Sequence, residues 1–433
     1  MKNNSKISCE SRKMRYTFKE TDTKLKEAGT MLKKKTLIFL LVLTMTAIRA
    51  WGGESIVIEK TARTSNPSLV FQGVSGAPEL NEALRSSFLY CGWFDVQKAS
   101  PGVKSDYVIS GQGTGNSVIL RIENSAGVEV ATVSARGDGP KDTAHGGVDA
   151  VLKELFGIAG ICRSRIVFTA DTGGGNRELY VCDFDGRDPQ KITANRKLCM
   201  DPVWAPDGRT IIYSLFTGAD TCLVQYDTVT KLSRRLSRYS GLNAGGAISP
   251  DGKTIALVLN RDNQVDLYIR SVEGTDLRRV TKDKAVEASP CWSPDGKKLC
   301  YVSDSSGRPL LYTVDPFRGG RGEPLRGLAG SERVTPCWSP SGKLTYSAKV
   351  GRDYIVAVAD MSQGKPVMET VGPEGKPASI VGEGPSWAPD GRHVVTAENG
   401  AIYIVDTWLG KKRPLFSKSA RLNQPDWSPL LKK

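Results

Sequence analysis

A chain of 433 residues is too long for one compact core, so two domains after any targeting segment are expected, and its 24% charged and 39% hydrophobic side chains are those of an ordinary soluble protein. A formal charge of +14 would point to nucleic acid or an anionic membrane surface if it were spread along the chain. It is concentrated instead: residues 1–50 hold 12 Lys and Arg against 4 Asp and Glu, a net of +8, which leaves a mild +6 on residues 51–433 and weighs against both partners.

Residues 1–30 are polar, charged and patternless, and read as an upstream extension. From Met31 the chain runs through Lys33-Lys34-Lys35 into an apolar stretch ending near Ala47, with small residues Ala50, Gly52 and Gly53 beyond. That order has the shape of a secretory signal peptide over 31–53. The apolar stretch is shorter than the roughly 20 residues that span a bilayer, so removal after export is expected, and no Cys follows to carry a lipid.

Residues 54–160 read as a small α/β domain. Leu80, Leu84 and Phe88 share one helical face from Pro78 onward, and Gly92 ends that helix. Short strands are expected at 94–96, 106–110, 117–122 and 129–134, with a turn from Asn124 to Gly127. A second helix over 148–155 stops at Gly157. The run Gly111-Gln112-Gly113-Thr114-Gly115 misses dinucleotide-binding spacing and reads as a loop, and His145 falls just before the second helix. Gly160 to Ser164 reads as a tight join to the second domain.

Residues 161–433 carry an internal repeat: Val203-Trp204-Ala-Pro-Asp-Gly, Ala247-Ile248-Ser-Pro-Asp-Gly, Cys291-Trp292-Ser-Pro-Asp-Gly, Cys337-Trp338-Ser-Pro-Ser-Gly, Ser386-Trp387-Ala-Pro-Asp-Gly and Asp426-Trp427-Ser-Pro429. The aromatic position advances by 44, 44, 46, 49 and 40 residues, the length of a four-stranded propeller blade. In each copy an innermost strand ends at the Trp position. Pro-Asp-Gly then makes a tight turn, with Pro presetting φ and Gly accepting φ > 0. Second and third strands come next, as at 210–213 and 223–225, and a fourth closes several copies, as at 191–193 and 279–281. The first third-strand, at Leu179, precedes every Trp motif, whereas Trp427 has almost nothing after it. The two fragments complete each other, so the strand around Trp427 and Pro429 is expected to pair with 165–169. The predicted fold is therefore an α/β N-terminal domain plus an all-β six-bladed β-propeller closed by the C-terminal strand.

Motifs that would carry chemistry are scarce. No G-x-S-x-G is present to place a nucleophile. Gly252-Lys253-Thr254 lacks the earlier Gly of a phosphate-binding loop, Ala247 standing there, and it sits in a hairpin turn. Nine Cys include no C-x-x-C, and with only His145 and His393 a zinc site of usual spacing is not expected. Eight Cys lie beyond the signal segment, too many pairings to resolve from sequence, and the repeated placement of Cys291 and Cys337 before Trp points to packing. Asp171, Asp207, Asp251, Asp295 and Asp390 could be read as acid–base carboxylates. The last four, however, occupy equivalent turns of different blades, which keeps them apart. No cofactor and no metal is expected.

The segments preceding the Trp strands converge at one mouth of the ring and vary between copies: Met200-Asp201, Leu242-Asn243-Ala244, Glu287-Ala288, Glu332-Arg333-Val334, Gly382-Glu383 and Asn423-Gln424. A rigid ring with variable segments at one face is a binding surface. From Glu54 onward the chain resembles the TolB family, periplasmic components of the Tol-Pal cell-envelope system. The resemblance rests on the exported N-terminus, the α/β domain, Arg163-Ser-Arg165-Ile-Val-Phe168, the six repeats and the closing Gln424-Pro-Asp-Trp-Ser-Pro-Leu430. It implies a non-catalytic periplasmic scaffold that supports outer-membrane integrity and cell division, with only indirect membrane association and no nucleic-acid partner. It further implies that the mouth binds the peptidoglycan-associated lipoprotein Pal and that the segment near 54–64, with Glu54, Ile56, Val57 and Ile58, binds TolA. That segment can be read either as a strand added to a partner's sheet or as the first strand of its own domain. The stretch Leu242 to Gly246 departs from the family, where a His and a Pro are expected, and Glu287-Ala288 departs as well. The competing class is a propeller enzyme acting on peptides or sugars through carboxylates in the funnel.

Overall fold

A computed structural model describes residues 65–431 except 101, 238, 374–377 and 417–420. The expected signal segment and the segment at Glu54, Ile56, Val57 and Ile58 lie outside the described residues. The first strand is Ser68–Ser75 (β1), followed by the helix Pro78–Tyr90 (α1) and the strands Asp95–Gln97 (β2), Tyr107–Thr114 (β3), Ser117–Asn124 (β4) and Glu129–Arg136 (β5), then the helix Pro140–Phe156 (α2). The sheet order is β2-β1-β3-β4-β5, parallel around β1 and antiparallel from β3 onward. Leu80, Leu84 and Phe88 of α1 and Val148, Val151 and Leu152 of α2 bury their shared stripe against Leu69, Phe71, Ile109, Leu120 and Ile122 of the sheet.

Three features of this layer differ from the sequence expectation. Strand β1 is absent from that expectation because its apolar run is interrupted at Gly73, which takes φ +105 at a register shift against β3. Helix α2 begins at Pro140, two turns before its apolar stripe becomes visible. Pro at its first turn presets the helix, and Gly146 and Gly147 let Arg163 and the side chains of Val118, Leu120 and Leu84 come close. His145 therefore lies inside the helix, buried against the edge of Phe184, where desolvation lowers its pKa to about 4 and keeps it neutral. The Gly111–Thr114 run continues β3 instead of looping: a Cβ on Gly111 would strike the Ile119 carbonyl, and one on Gly113 would sit 2.8 Å from Leu80 Cδ2.

Beyond α2, Gly157 in the left-handed conformation ends the helix. The carboxylate of Asp149 then accepts the N–H groups of Ile161, Cys162 and Arg163 at 2.8, 2.8 and 3.0 Å, which fixes the join.

The repeat supplies its strands in sets. Arg165–Gly173 (β6), Asn176–Asp183 (β7) and Gln190–Lys191 (β8) open it. Next come Leu198–Trp204 (β9), Thr210–Phe216 (β10), Thr221–Asp227 (β11) and Ser233–Arg235 (β12), then Asn243–Ile248 (β13), Thr254–Arg261 (β14), Gln264–Ser271 (β15) and Arg278–Arg279 (β16). Glu287–Trp292 (β17), Leu299–Ser303 (β18), Leu310–Val314 (β19) and Glu323–Pro324 (β20) precede Arg333–Trp338 (β21), Lys343–Val350 (β22), Asp353–Asp360 (β23) and Val367–Glu369 (β24). Glu383–Trp387 (β25), His393–Glu398 (β26), Ala401–Asp406 (β27) and Lys411–Pro414 (β28) lead to the last strand, Leu422–Trp427 (β29). Within a set the strands pair antiparallel in chain order. Strand β29 pairs antiparallel with β6, Leu422 opposite Ala170 and Trp427 opposite Ile166. The strands that end at the Trp position of the repeat touch in sequence, β9 to β13 to β17 to β21 to β25 to β29, and β29 touches β9.

Each junction between neighbouring sets holds an apolar cluster, such as Leu179, Tyr213 and Val224 between the first two, or Tyr301, Ala256 and Trp292 farther along. Burying one such side chain contributes about 1.5–3 kcal/mol. The cluster between β26–β27 and β6–β7 runs on without a break into the α/β layer. The outermost strands are short because a side chain takes over their ladder: Ile192 N–H still reaches the Leu179 carbonyl, but Leu179 N–H is taken by Thr193 Oγ1 at 2.9 Å. Thr281 does the same to Leu267 at 3.0 Å and Ser237 to Leu223 at 3.2 Å. A short edge leaves little unpaired backbone to template aggregation.

Candidate functional site

The six strands that end at the Trp position of the repeat, Ile248 standing there in β13, share a local distortion. Each shifts register against its second strand at the same place, two to three residues before the aromatic position. The inserted residue is left-handed in every copy: Asp201 (φ 49), Gly245 (φ 62), Ser289 (φ 48), Thr335 (φ 51), Gly384 (φ 60) and Gln424 (φ 51). Four of these are not glycine, and a β-branched Thr at positive φ is costly, so the surrounding strands must hold the conformation in place. Pro comes directly after it in five copies. In the sixth, Gly246 stands there because a Cβ would come within 2.8 Å of Ile212 Cγ2.

This bulge decides which predicted mouth residues are available. The inserted residue reverses strand alternation, so the position two before it faces into the sheet packing and the next two face outward. Asn243 is 0% and Glu287 1% exposed. Asn243 is spent on its own loop, accepting from Tyr239 N–H at 3.0 Å and donating to the carbonyls of Tyr239 and Gly241. Arg333, half-buried, donates to the carbonyls of Leu325, Leu328 and Ala329. These three therefore shape the loops and do not present side chains to a partner. Asp201 and Glu383 are exposed, and Leu242, Ala244 and Ala288 are half-exposed. Gln424, expected among the mouth segments, is tied to a neighbour: its amide donates to Asp201 Oδ1 at 2.6 Å across the junction of β29 and β9, a contact the sequence does not signal.

Glu287 carries a measurable consequence. It accepts hydrogen bonds from Thr281 Oγ1 at 3.0 Å and from Ser303 Oγ at 3.3 Å. Burial, reinforced by Asp283 and Asp266, raises its pKa to about 8. A carboxyl raised in the folded state stabilises fully below its unfolded value, about pH 4.3, and that contribution is lost as pH rises toward 8. Glu287→Gln is expected to match the wild type near pH 4 and to exceed it at pH 8 by at least about 1.4 kcal/mol, one pKa unit's worth. Melting curves of both proteins across that range check it; parallel curves would contradict it.

The strand ends away from the mouth carry the Pro-Asp-Gly turns, and their carboxylates are committed there. Asp207 accepts Arg209 N–H and Thr210 N–H, each at 2.8 Å; Asp251 and Asp295 each bind a Ser of their own turn. Asp390 binds the N–H groups of Arg392 and His393 and also the His393 ring. The α/β layer docks at this same end. Trp93 Nε1 donates to Asp390 Oδ2 at 2.9 Å, and Lys141 meets Asp183 and Asp188 at 2.7 and 2.6 Å. Among the described residues, the α/β layer leaves the opposite strand ends uncovered. A cleft beside α1, lined by Gln72, Ser75, Asn81, Glu82 and Arg85, contains none of the sequence-predicted residues.

Among these strands, Asp426 joins three. Its Oδ2 accepts Trp204 N–H at 2.7 Å, its Oδ1 accepts the Ser386 hydroxyl at 2.6 Å, and Ser386 Oγ in turn accepts Trp427 N–H at 3.1 Å. Burial raises the Asp426 carboxyl to about 6. Trp338 N–H is likewise received by Cys291 Sγ at 3.2 Å. The residue before each of these Trp positions thus serves the backbone of the neighbouring strand, which would otherwise leave a donor unpaired.

A family profile described as the TolB beta propeller domain matches residues 152–431. The Tol-Pal system protein TolB of Anaeromyxobacter sp. (strain K) is 30% identical over 249 residues, 55% of this chain and 56% of that one. That of Francisella tularensis subsp. tularensis (strain WY96-3418) is 31% identical over 229 residues, 49% and 52% respectively. The chain spans about half the length of the curated relatives it matches. In three dimensions it is similar to the crystal structure of TolB from Acinetobacter baumannii, with a TM-score of 0.73 and 21% identity over 84% of this chain and 97% of that one.

Proposed function

Because this chain belongs to the TolB β-propeller family, we propose that it is a non-catalytic periplasmic scaffold of a Tol-Pal system. In this reading residues 161–433 are a six-bladed ring closed by β29, joined to an α/β domain at 54–160, and exported by the segment 31–53. The mouth binds Pal, and Glu54, Ile56, Val57 and Ile58 engage TolA, so that the protein links outer- and inner-membrane partners and supports envelope integrity and cell division. The observation that carries the docking face is the repeated left-handed bulge, which turns Asp201, Ala244, Ala288 and Glu383 outward at the end opposite the α/β layer. A rigid platform loses little entropy on association.

The test is calorimetric titration with the soluble domain of Pal. Ala288→Arg combined with Glu383→Lys is expected to weaken binding at least tenfold, roughly 1.4 kcal/mol, while the melting temperature stays within about a degree. Undiminished affinity would remove the mouth from the reading, and turnover of a peptide or oligosaccharide by the purified protein would replace the scaffold with an enzyme.

A further inference from the structure

Cys291 and Cys337 occupy the same position on neighbouring strands β17 and β21, one residue before Trp292 and Trp338. Trp338 N–H points at Cys291 Sγ at 3.2 Å, which sets that sulfur beside the peptide that Cys337 itself closes. Cys291 Sγ thus lies against the backbone next to Cys337, and Cys337 Sγ has Ser386 Oγ 3.9 Å away. Both keep part of their surface open, whereas the other six described cysteines are buried; all eight are free thiols. The sequence pattern points to packing at these two positions, yet their placement brings the two residues together on adjacent strands.

We propose that Cys291 and Cys337 are a reactive dithiol pair that closes to a disulfide between adjacent blades. The neighbouring Cys291 thiol lowers the pKa of Cys337, while Cys337 and burial raise that of Cys291, so Cys337 is the attacking group. With oxidised glutathione as the disulfide donor, the Cys337 thiolate attacks one glutathione sulfur, and the S–S bond breaks to release a glutathione thiolate. Cys291, losing its proton to solvent, then attacks Cys337 Sγ and expels the second glutathione thiolate. Two protein thiols are oxidised and one glutathione disulfide is reduced to two thiols. The competing partner is Cys300, which faces Cys291 directly across β17 and β18. Cys300 is 0% exposed within an apolar cluster with Leu344 and Tyr346, out of reach of the donor.

The bond would link strands 46 residues apart in sequence and restrict the unfolded chain. The folded full-length protein is incubated with oxidised glutathione, unfolded in N-ethylmaleimide and mapped by peptide mass spectrometry. Expected are the loss of two alkylatable thiols, release of two glutathione thiols per chain, a peptide pair joined at Cys291 and Cys337, and a rise in melting temperature of several degrees that dithiothreitol reverses. Cys291→Ser is expected to stop at a glutathione adduct on Cys337 with no rise. Two unreacted thiols, a lasting adduct on the wild type, a Cys291–Cys300 link or a disulfide between chains would each overturn the proposal, and the wild-type map decides even if the variant fails to fold.

Discussion

Deletion of residues 424–433 is expected to lower the melting temperature by roughly 10 °C or to abolish folding, because it removes the strand on which both ends of the repeat depend. Trp427 is 4% exposed and packs into the cluster shared by the first and last sets and the α/β layer. Its Nε1 donates to Ser164 Oγ at 2.8 Å. Truncating a buried Trp alone costs about 3–5 kcal/mol. The deletion also removes the N–H groups of Ser428 and Leu431 that bind the Arg165 and Arg163 carbonyls, and the Asp426 carboxylate that receives Trp204 and Ser386. Against a total stability of about 5–15 kcal/mol these losses are decisive. They also bare the edge of β6 to pairing with other chains. Thermal melts and light scattering of the truncated protein give the outcome; an unchanged melt would mean that β29 holds nothing together.

Arg392→Ala is expected to cost about 3–5 kcal/mol, the usual penalty for stranding one member of a buried ion pair. Arg392 is 3% exposed and binds Asp406 through Nε at 3.0 Å and Nη2 at 2.6 Å, and Nη2 also donates to Asn66 Oδ1 at 2.7 Å. Its guanidinium lies 4.7 Å from the ring centre of Trp93 and 4.9 Å from that of Trp408, one ring from each side of the junction between the α/β layer and the repeat. Removal leaves a buried carboxylate and an empty slot between two indoles. Arg392→Lys keeps the charge but loses the fork and the stacking, so an intermediate loss is expected. Denaturant unfolding of the three proteins measures this order; equal stability would show that the junction rests on apolar packing alone.

The repeat is readable because its signals are local. A Trp at the end of an apolar run, a Pro-Asp-Gly turn and an alternating strand after it recur at blade length, and the surplus of Trp427 over Leu179 locates the pairing of the tail. Helix α1 is readable from Leu80, Leu84 and Phe88 for the same reason. What escapes depends on contacts distant in sequence. Strand β1 shows no alternation because Leu69, Val70 and Phe71 are buried in succession and the run breaks at Gly73. Gly111 and Gly113 look like a loop until Ile119 and Leu80 are seen pressed against them. The first turns of α2 are buried by small residues that give no apolar stripe.

The candidate site is legible as a face and not residue by residue. Asn243, Glu287 and Arg333 stand out for their place before the Trp motif, but the bulge behind them turns their side chains inward. Nothing in the identities of Asp201, Ser289, Thr335 or Gln424 announces a left-handed backbone; it comes with the register shift against the neighbouring strand. The interblade contacts of Asp426 and Cys291 are hidden likewise, since each partner lies 40 residues or more away.

Hydrogen–deuterium exchange of the protein with and without the soluble domain of Pal tests the docking face most directly. The expected result is slowed exchange at the openings of β9, β13, β17 and β25, around Asp201, Ala244, Ala288 and Glu383, with 117–136 and the Pro-Asp-Gly turns unchanged. Binding that protects the turn end or the α/β sheet, and leaves those openings exchanging as before, would contradict it.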